Sequence, residues 1–293
     1  MIAEETYINQ KSHLISKLKD FALLTKIRLA WLVVFSAVCS FLMTGKGVSI
    51  DLFYLVVGGF LVTGASNGIN QILERDVDAK MERTKDRPMA AGRLSVTEGF
   101  VFCIAIAIIG LAILFLLNPL SALLGFLALF IYVAIYTPMK RISPWAVFIG
   151  AFPGAIPPML GWIASTGEFG LVPGILFMVQ FMWQFPHFWS LAWMLNDDYK
   201  KGGFHLLPSK EGTDKRSAFL ILVYTLIMIP TGLMPWLYGV TGTLSLVVVS
   251  VLGIFMFLKS YRLYLSCDEK DAKKLFFASL IYLPIVQIIY IFG

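Results

Sequence analysis

Nine stretches of the chain, at roughly residues 27–45, 51–73, 96–117, 119–137, 144–163, 170–195, 216–238, 240–259 and 274–292, are each long and apolar enough to read as a membrane-spanning segment. Nothing else in the sequence constrains the fold as much. A spanning helix needs about 20 mostly apolar residues, whereas a barrel strand takes about 9–11. In lipid every backbone polar group must find its partner inside the structure, which leaves helices as the solution for runs of this length. Composition agrees: hydrophobic residues make up 58% of the 293 and charged residues only 14%, with mean hydropathy +0.79, which excludes an ordinary soluble globule. The expected fold class is therefore all-α, a polytopic transmembrane helical bundle with about nine spans. No polar segment between the windows is long enough to form a soluble domain. The expected organisation is a cytoplasmic N-terminal segment over residues 1–26 and a single integral-membrane domain over 27–293.

The basic residues orient the bundle. Lys11, Lys17, Lys19, Lys26 and Arg28 precede or open window one, and Arg75, Lys80, Arg83, Lys85, Arg87 and Arg93 follow window two. Lys140 and Arg141 follow window four. Lys200, Lys201, Lys210, Lys215 and Arg216 follow window six, and Lys259, Arg262, Lys270, Lys273 and Lys274 follow window eight. With nine spans, 23 of the 24 basic residues fall on one side and only Lys46 on the other. The positive-inside rule then places the N-terminus in the cytoplasm and the C-terminus outside. The net charge of +6 is accounted for by this bias and by attraction to anionic lipid, so nucleic acid is not an expected partner. Cys39, Cys103 and Cys267 show no paired spacing and read as packing residues. The first 26 residues contain Glu4, Glu5 and Asp20 and no apolar core of a signal peptide, so the first span is expected to direct insertion itself.

Against this apolar background the segment from Asn70 to Pro88, NQILERDVDAKMERTKDRP, stands out because it sets acids and bases at a membrane border, where ionisable groups are costly. On a helix Asn70, Glu74 and Asp78 recur every four residues and stack along one face, about 6 Å of rise apart. Two carboxylates and an amide in one column suit a hard divalent cation such as Mg²⁺, which takes one or two carboxylates and bridges to phosphate. Asp76 falls on another face. Lys80, Arg83, Lys85, Arg87 and Arg93 follow as a dense basic loop, and guanidinium groups recognise phosphate oxygens in bidentate geometry. The basic residues alone could be no more than a positive-inside loop, but that rule asks for nothing acidic. Ser95 and Glu98 have capping-box spacing and are expected to start the next helix.

A second cluster follows window six, WQFPHFWSLAWMLNDDYKKGGFHLLP. Two and six spans return to the same side, so Asp197 and Asp198, with Tyr199, Lys200 and Lys201, are expected to face Glu74 and Asp78 over one cavity. If window six continues helically, His187 and Asp198 share a face about 16.5 Å apart, too far for one metal ion. His187 is the only histidine inside a window. Three readings of it stay open: a core residue bonded to a neighbouring helix, a ligand or positioner of a porphyrin iron, or a proton shuttle. Pro186 is expected to kink the helix beside it. Trp183, Phe185, Phe188, Trp189 and Trp193 around it could wall a large flat ligand, or simply pack. Tyr132 and Tyr136, one turn apart ahead of Lys140 and Arg141, could face a cation while the bases reach an anion. Pro153, Pro157 and Pro158 with Gly150, Gly154 and Gly161 predict a kinked fifth span with close helix contacts.

These motifs have a specific resemblance. The column Asn70, Glu74, Asp78 followed by Met81, Arg83, Thr84, Arg87 and Pro88 resembles the first aspartate-rich motif of the intramembrane aromatic prenyltransferase superfamily. The stretch PHFWSLAWMLNDDYKKGG with the downstream LLP is similar to the second motif in the form found in protohaem IX farnesyltransferases (haem O synthases). Glu74 stands where the superfamily usually has Asp, and the carboxylate that quinone-type relatives carry upstream has no counterpart near His187.

The resemblance implies farnesyl transfer from farnesyl diphosphate to the vinyl group of haem b, with Mg²⁺ as cofactor. It assigns Asn70, Glu74, Asp78, Asp197 and Asp198 to catalysis, with Asn70, Glu74, Asp78 and Asp198 on the metal. Lys80, Arg83, Lys85, Arg87, Lys140, Arg141, Lys200 and Lys201 would bind diphosphate, and His187, Trp183, Tyr136 and Tyr199 would form the haem pocket. The implied partners are farnesyl diphosphate, haem b, the bilayer of a bacterial cytoplasmic membrane, and either a downstream haem A synthase or a second copy of the chain. Two alternatives remain: a sister prenyltransferase acting on a quinone precursor or chlorophyllide, and an anion transporter, which would more often place its charges at mid-membrane.

Overall fold

The computed structural model describes residues 15–209 and 211–293, so Lys11, His13 and Lys210 lie outside the described residues. Within them every regular element is helical. In chain order these are α1 (Ile15–Leu24), α2 (Ile27–Leu42), α3 (Ile50–Asp78), α4 (Val96–Leu117), α5 (Pro119–Met139), α6 (Ala146–Thr166), α7 (Leu171–Met194), the short α8 (Asn196–Lys201), α9 (Lys215–Leu237), α10 (Thr243–Ser266) and α11 (Glu269–Phe292). Each apolar window of the sequence falls on one of α2–α7 or α9–α11. Among the described residues seven helices are long and apolar enough to cross a membrane, and α1 with α2, bent by 48° between them, adds an eighth if the pair is one span. The 24-residue α7 stands apart from these, its apolar run broken by Gln180, Gln184, Pro186, His187 and Ser190.

Local chemistry sets the helix boundaries. Ser95 and Glu98 close the expected capping box at the start of α4. Asn118 caps α5 with Pro119 behind it, and Asp214 caps α9 through the Ser217 N–H at 2.7 Å. The sixth window forms one helix through Pro186, and Pro153, Pro157 and Pro158 lie within α6. α7 ends at Met194 rather than running on to Asp198, so His187 and Asp198 sit on different helices.

Lipid offers no hydrophobic drive between helices, so close packing and polar cross-links hold the bundle together. Gly161 on α6 lies against the backbone of Ala37 on α2, and Gly58 and Gly110 bring α3 and α4 together. Buried amides form a chain across four helices. Ser36 on α2 donates to Gln287 on α11 (3.2 Å), Gln287 to Gln180 on α7 (2.8 Å), and Gln180 to the Gly154 carbonyl on α6 (2.7 Å). The apolar interior falls into one cluster around α6, α7, α9, α10 and α11 and another around α2, α3, α5 and α6, with α6 shared.

The described part of the N-terminal segment is docked rather than free. Gln71 donates to the carbonyls of Leu23 (3.0 Å) and Leu24 (2.8 Å), Asn67 donates to Thr25 (3.2 Å), and Arg93 pairs with Asp20 at 2.8 Å. At one end of the bundle the loops after α3, α5 and α7 meet. At the other, Lys46 reaches the Ser165 carbonyl, Asn118 donates to Ile163 (3.1 Å) and the Gly242 N–H to Gly293 (2.6 Å).

Gly161→Val forces a side chain into the α2 backbone. The expected outcome is a loss of about 1–3 kcal/mol of stability, read as a lower thermal midpoint in detergent.

Candidate active site

The three residues of the polar column on α3 are all buried: Asn70 and Asp78 are 1% exposed and Glu74 3%. Buried carboxylates demand partners, and neighbouring elements supply them. Lys140, just past the end of α5, puts its ammonium 2.6 Å from Glu74 Oε1 in a buried ion pair. Arg87, from the loop after α3, donates to Asp78 Oδ2 at 2.7 Å. Burial pushes the Lys140 ammonium below its ordinary pKa range, and the Glu74 carboxylate opposes that shift.

Asn70 is oriented by an irregularity in α5. Residues Ile131–Tyr136 form a π-helical turn, a feature frequent at functional sites. It ends at Thr137, whose hydroxyl donates to the Tyr132 carbonyl (2.8 Å) and accepts the Asn70 amide N–H (3.0 Å). The Asn70 carbonyl oxygen is thereby turned towards Lys26, 3.5 Å away. The same turn sets Tyr132 and Tyr136 side by side, ring centroids 5.3 Å apart and planes tilted by 38°, and Gly150 on α6 leaves the room that the Tyr136 ring occupies. The Lys140 ammonium lies 5.0 Å from the centre of that ring.

These groups line the mouth of a cavity of about 500 Å³ that runs into the bundle. Its charged wall is Lys26, Glu74, Asp78, Arg83, Arg87 and Lys140, joined by Asn70 and Tyr199, and the rest of the lining is mostly apolar, with Val33, Leu55, Val62, Leu114 and Leu160 beside Thr63, Ser66, Asn67 and Gln184. His187, Phe188 and Phe276 close another part of the wall. Tyr199 receives a hydrogen bond from Arg83 at 3.3 Å, and burial holds its phenol above the ordinary range.

The remaining predicted residues lie elsewhere. Asp198 accepts the backbone N–H groups of Glu82 (2.9 Å) and Arg83 (3.3 Å), so it ties α8 to the loop that carries Arg83 and Arg87. Asp197 is exposed, 3.9 Å from Lys200. Lys80, Lys85, Arg141, Lys200 and Lys201 are exposed and off the cavity wall, with Lys85 paired to Glu82 at 2.5 Å. Asp76 is exposed beside Arg75. Trp183 stands behind the wall, stacked on His187 at 4.5 Å.

Among the described residues no three His, Cys, Asp or Glu side chains converge to hold a metal. The candidate set is thus two carboxylates and an amide, and Asp198 is not brought to it. Asp78 Oδ1 is enclosed and has no hydrogen-bond partner, which fits a hard oxygen ligand awaiting a cation.

Sequence reasoning passed over two members of the site. Lys26 entered it only as a topology charge, although it is a cation at the edge of an apolar window, the same signal that singled out Asn70–Pro88. Thr137 carries no signal, because its role depends on the π turn.

The UbiA prenyltransferase family profile matches residues 32–281. Protoheme IX farnesyltransferase from Christiangramia forsetii is 46% identical over 282 residues, 94% of this chain and 93% of that protein. The protein of the same name from Cytophaga hutchinsonii is 44% identical, over 94% and 98%. Among solved structures, that of a digeranylgeranylglyceryl phosphate synthase superposes with a TM-score of 0.80 at 18% identity, covering 95% of this chain and 98% of that one. A UbiA homologue from Archaeoglobus fulgidus bound to DMAPP and Mg²⁺ gives 0.68 at 17% identity, covering 93% and 99%. The last two likenesses concern the fold. A buried carboxylate column faced by arginine and lysine, set in an all-helical membrane bundle, meets the family match over most of the chain: this protein belongs to the UbiA prenyltransferase family and is a prenyltransferase.

Proposed function

We propose that the enzyme transfers the farnesyl group of farnesyl diphosphate to a vinyl group of haem b, giving haem O and diphosphate. One observation carries this reading: a single cavity joins the charged mouth at Glu74, Asp78, Arg87 and Lys140 to an apolar interior and to the face formed by His187, Phe188 and Phe276. The relatives named protoheme IX farnesyltransferase, matched over more than nine-tenths of the chain, favour haem over a quinone precursor or chlorophyllide.

The chemistry follows from what these side chains do. Arg83, Arg87 and Lys140 meet the diphosphate oxygens and hold them at the mouth. Glu74, Asp78 and the Asn70 carbonyl would hold Mg²⁺, which supplies positive charge to the departing diphosphate. The apolar interior takes the 15-carbon chain and keeps water from the allylic carbon as its bond to oxygen breaks. Tyr132 and Tyr136 present ring faces where positive charge develops. The vinyl terminal carbon bonds to the allylic carbon. The positive charge passes to the inner vinyl carbon, where the porphyrin ring stabilises it, and that carbon takes hydroxyl from water as a proton leaves.

Nine spans, with the N-terminus cytoplasmic and the C-terminus outside a bacterial cytoplasmic membrane, complete the proposal, with residues 27–293 acting as one domain. Its support is that Arg83, Arg87, Lys140 and Tyr199 gather at one end of the bundle and Lys46 sits at the other.

Asp78→Ala and Glu74→Ala are each expected to lower turnover by about 10²–10³-fold while the purified protein keeps its elution profile. The assay is incubation with haem b, farnesyl diphosphate and Mg²⁺ followed by chromatography of the extracted haem, and near-normal product from either variant would remove the site assignment. Chelation with EDTA should stop diphosphate release in detergent and added Mg²⁺ should restore it; release that persists without any divalent ion would contradict the metal role. In a Cys267→Ser background, Val48→Cys should react with an impermeant maleimide on intact cells and Lys85→Cys only after permeabilisation. The reverse pattern would invert the orientation.

A further inference from the structure

His187 is held far more firmly than a packing residue requires. Its ring is stacked between Trp183, with centroids 4.5 Å apart and planes at 18°, and Phe276, at 5.1 Å and 26°. Nδ1 lies 2.8 Å from Ser279 Oγ on α11. The direction of that bond follows from the serine's other contact. Ser279 Oγ spends its only proton on the Phe276 carbonyl at 2.6 Å, so towards His187 it can only accept. Nδ1 therefore carries the proton, and Nε2 carries the lone pair. Trp183 reinforces the arrangement by donating its indole N–H to the Ser279 carbonyl at 2.9 Å. Ser279 itself is fully buried and off the cavity wall, while His187 is on it. Among the described residues Nε2 has no hydrogen-bond partner, and it is not one of their enclosed polar atoms left without one, so on a residue of the cavity wall it is open to the cavity.

A neutral imidazole whose Nδ1–H is tied to an oxygen and whose Nε2 is free is the form that binds iron. The bond at Nδ1 fixes the tautomer and the ring plane and raises the basicity of Nε2. We propose that His187 Nε2 ligates the iron of the haem substrate and that Ser279 is the positioning residue that sets its tautomer. The proposal rests on the reading of haem b as substrate. The ligand would anchor the porphyrin at its centre, leaving its edge, where the vinyl groups are, to approach the allylic carbon. Trp183 and Phe276 prevent the imidazole from turning away from the iron.

The test uses the full-length protein in detergent with haem b reduced by dithionite and read by resonance Raman and optical spectroscopy. Wild type should show an iron–histidine stretching band. His187→Gly should lose it and regain it with added imidazole, which separates a missing ligand from a misfolded protein. Ser279→Ala should shift the band to lower frequency and weaken haem affinity by roughly tenfold, whereas Ser279→Thr should restore both. Binding of farnesyl diphosphate should be unchanged in Ser279→Ala, since the residue is remote from the charged mouth. A wild-type protein that takes up haem without the histidine band, or a band that Ser279→Ala leaves unmoved, would overturn the corresponding half of the proposal while leaving haem as the substrate. Failure of the wild type to take up haem at all would instead overturn the reading on which it rests.

Discussion

Two carboxylates buried one helical turn apart are the constraint around which this molecule is arranged. Glu74 and Asp78 sit on a membrane helix where neither can be left alone, because a charge buried without a partner is among the costliest defects a fold can carry. Lys140 and Arg87 answer them from the end of α5 and from the loop after α3, so the pairing ties both segments to α3. Removing one partner of such a pair costs about 3–5 kcal/mol, much of it the penalty of the charge left behind. The same cations are the natural partners of a diphosphate, and the same carboxylates the natural ligands of a divalent ion. A substrate that brings both charges into the mouth matches both halves of the site at once.

The rest of the bundle supplies depth and dryness. Helices that pack through Gly58, Gly110 and Gly161 come close where the protein is solid, and the buried amide chain through Ser36, Gln287 and Gln180 locks their relative positions. Between these contacts the cavity is bounded mainly by α2, α3, α5, α6 and α7, with Leu114 of α4, Tyr199 of α8 and Phe276 of α11 completing its wall. The π turn of α5 is the local departure that makes the mouth work. It delivers two tyrosine rings to the wall and uses Thr137 to set the rotation of Asn70. Asp198 contributes from outside the cavity by holding the backbone of the Arg83 loop, where its carboxylate accepts the N–H groups of Glu82 and Arg83.

Much of this was legible before any coordinates. The column at 70, 74 and 78 follows from helical periodicity alone, and its burial was foreshadowed by the apolar run that leads into it. The capping box at Ser95 and Glu98 formed as its spacing indicated. Less legible were residues whose role depends on which neighbour they meet. Lys80, Lys85 and Arg87 look alike in the sequence, yet Arg87 turns inward to Asp78 while Lys85 pairs with Glu82 on the surface. Lys26 looked like a topology charge and lies on the cavity wall, because the bend between α1 and α2 turns it there.

The sequence by itself determined that the chain is a helical membrane protein with a column of two carboxylates and an amide beside a basic loop. Helix length, hydropathy and four-residue spacing are properties of a single segment and need no partner to be read. Only the tertiary structure decided which cations answer which carboxylates, that Asp198 braces a loop, and that Ser279, 92 residues from His187, meets its imidazole at 2.8 Å. Those are contacts between side chains on different helices. They depend on how the bundle packs, which no local pattern records.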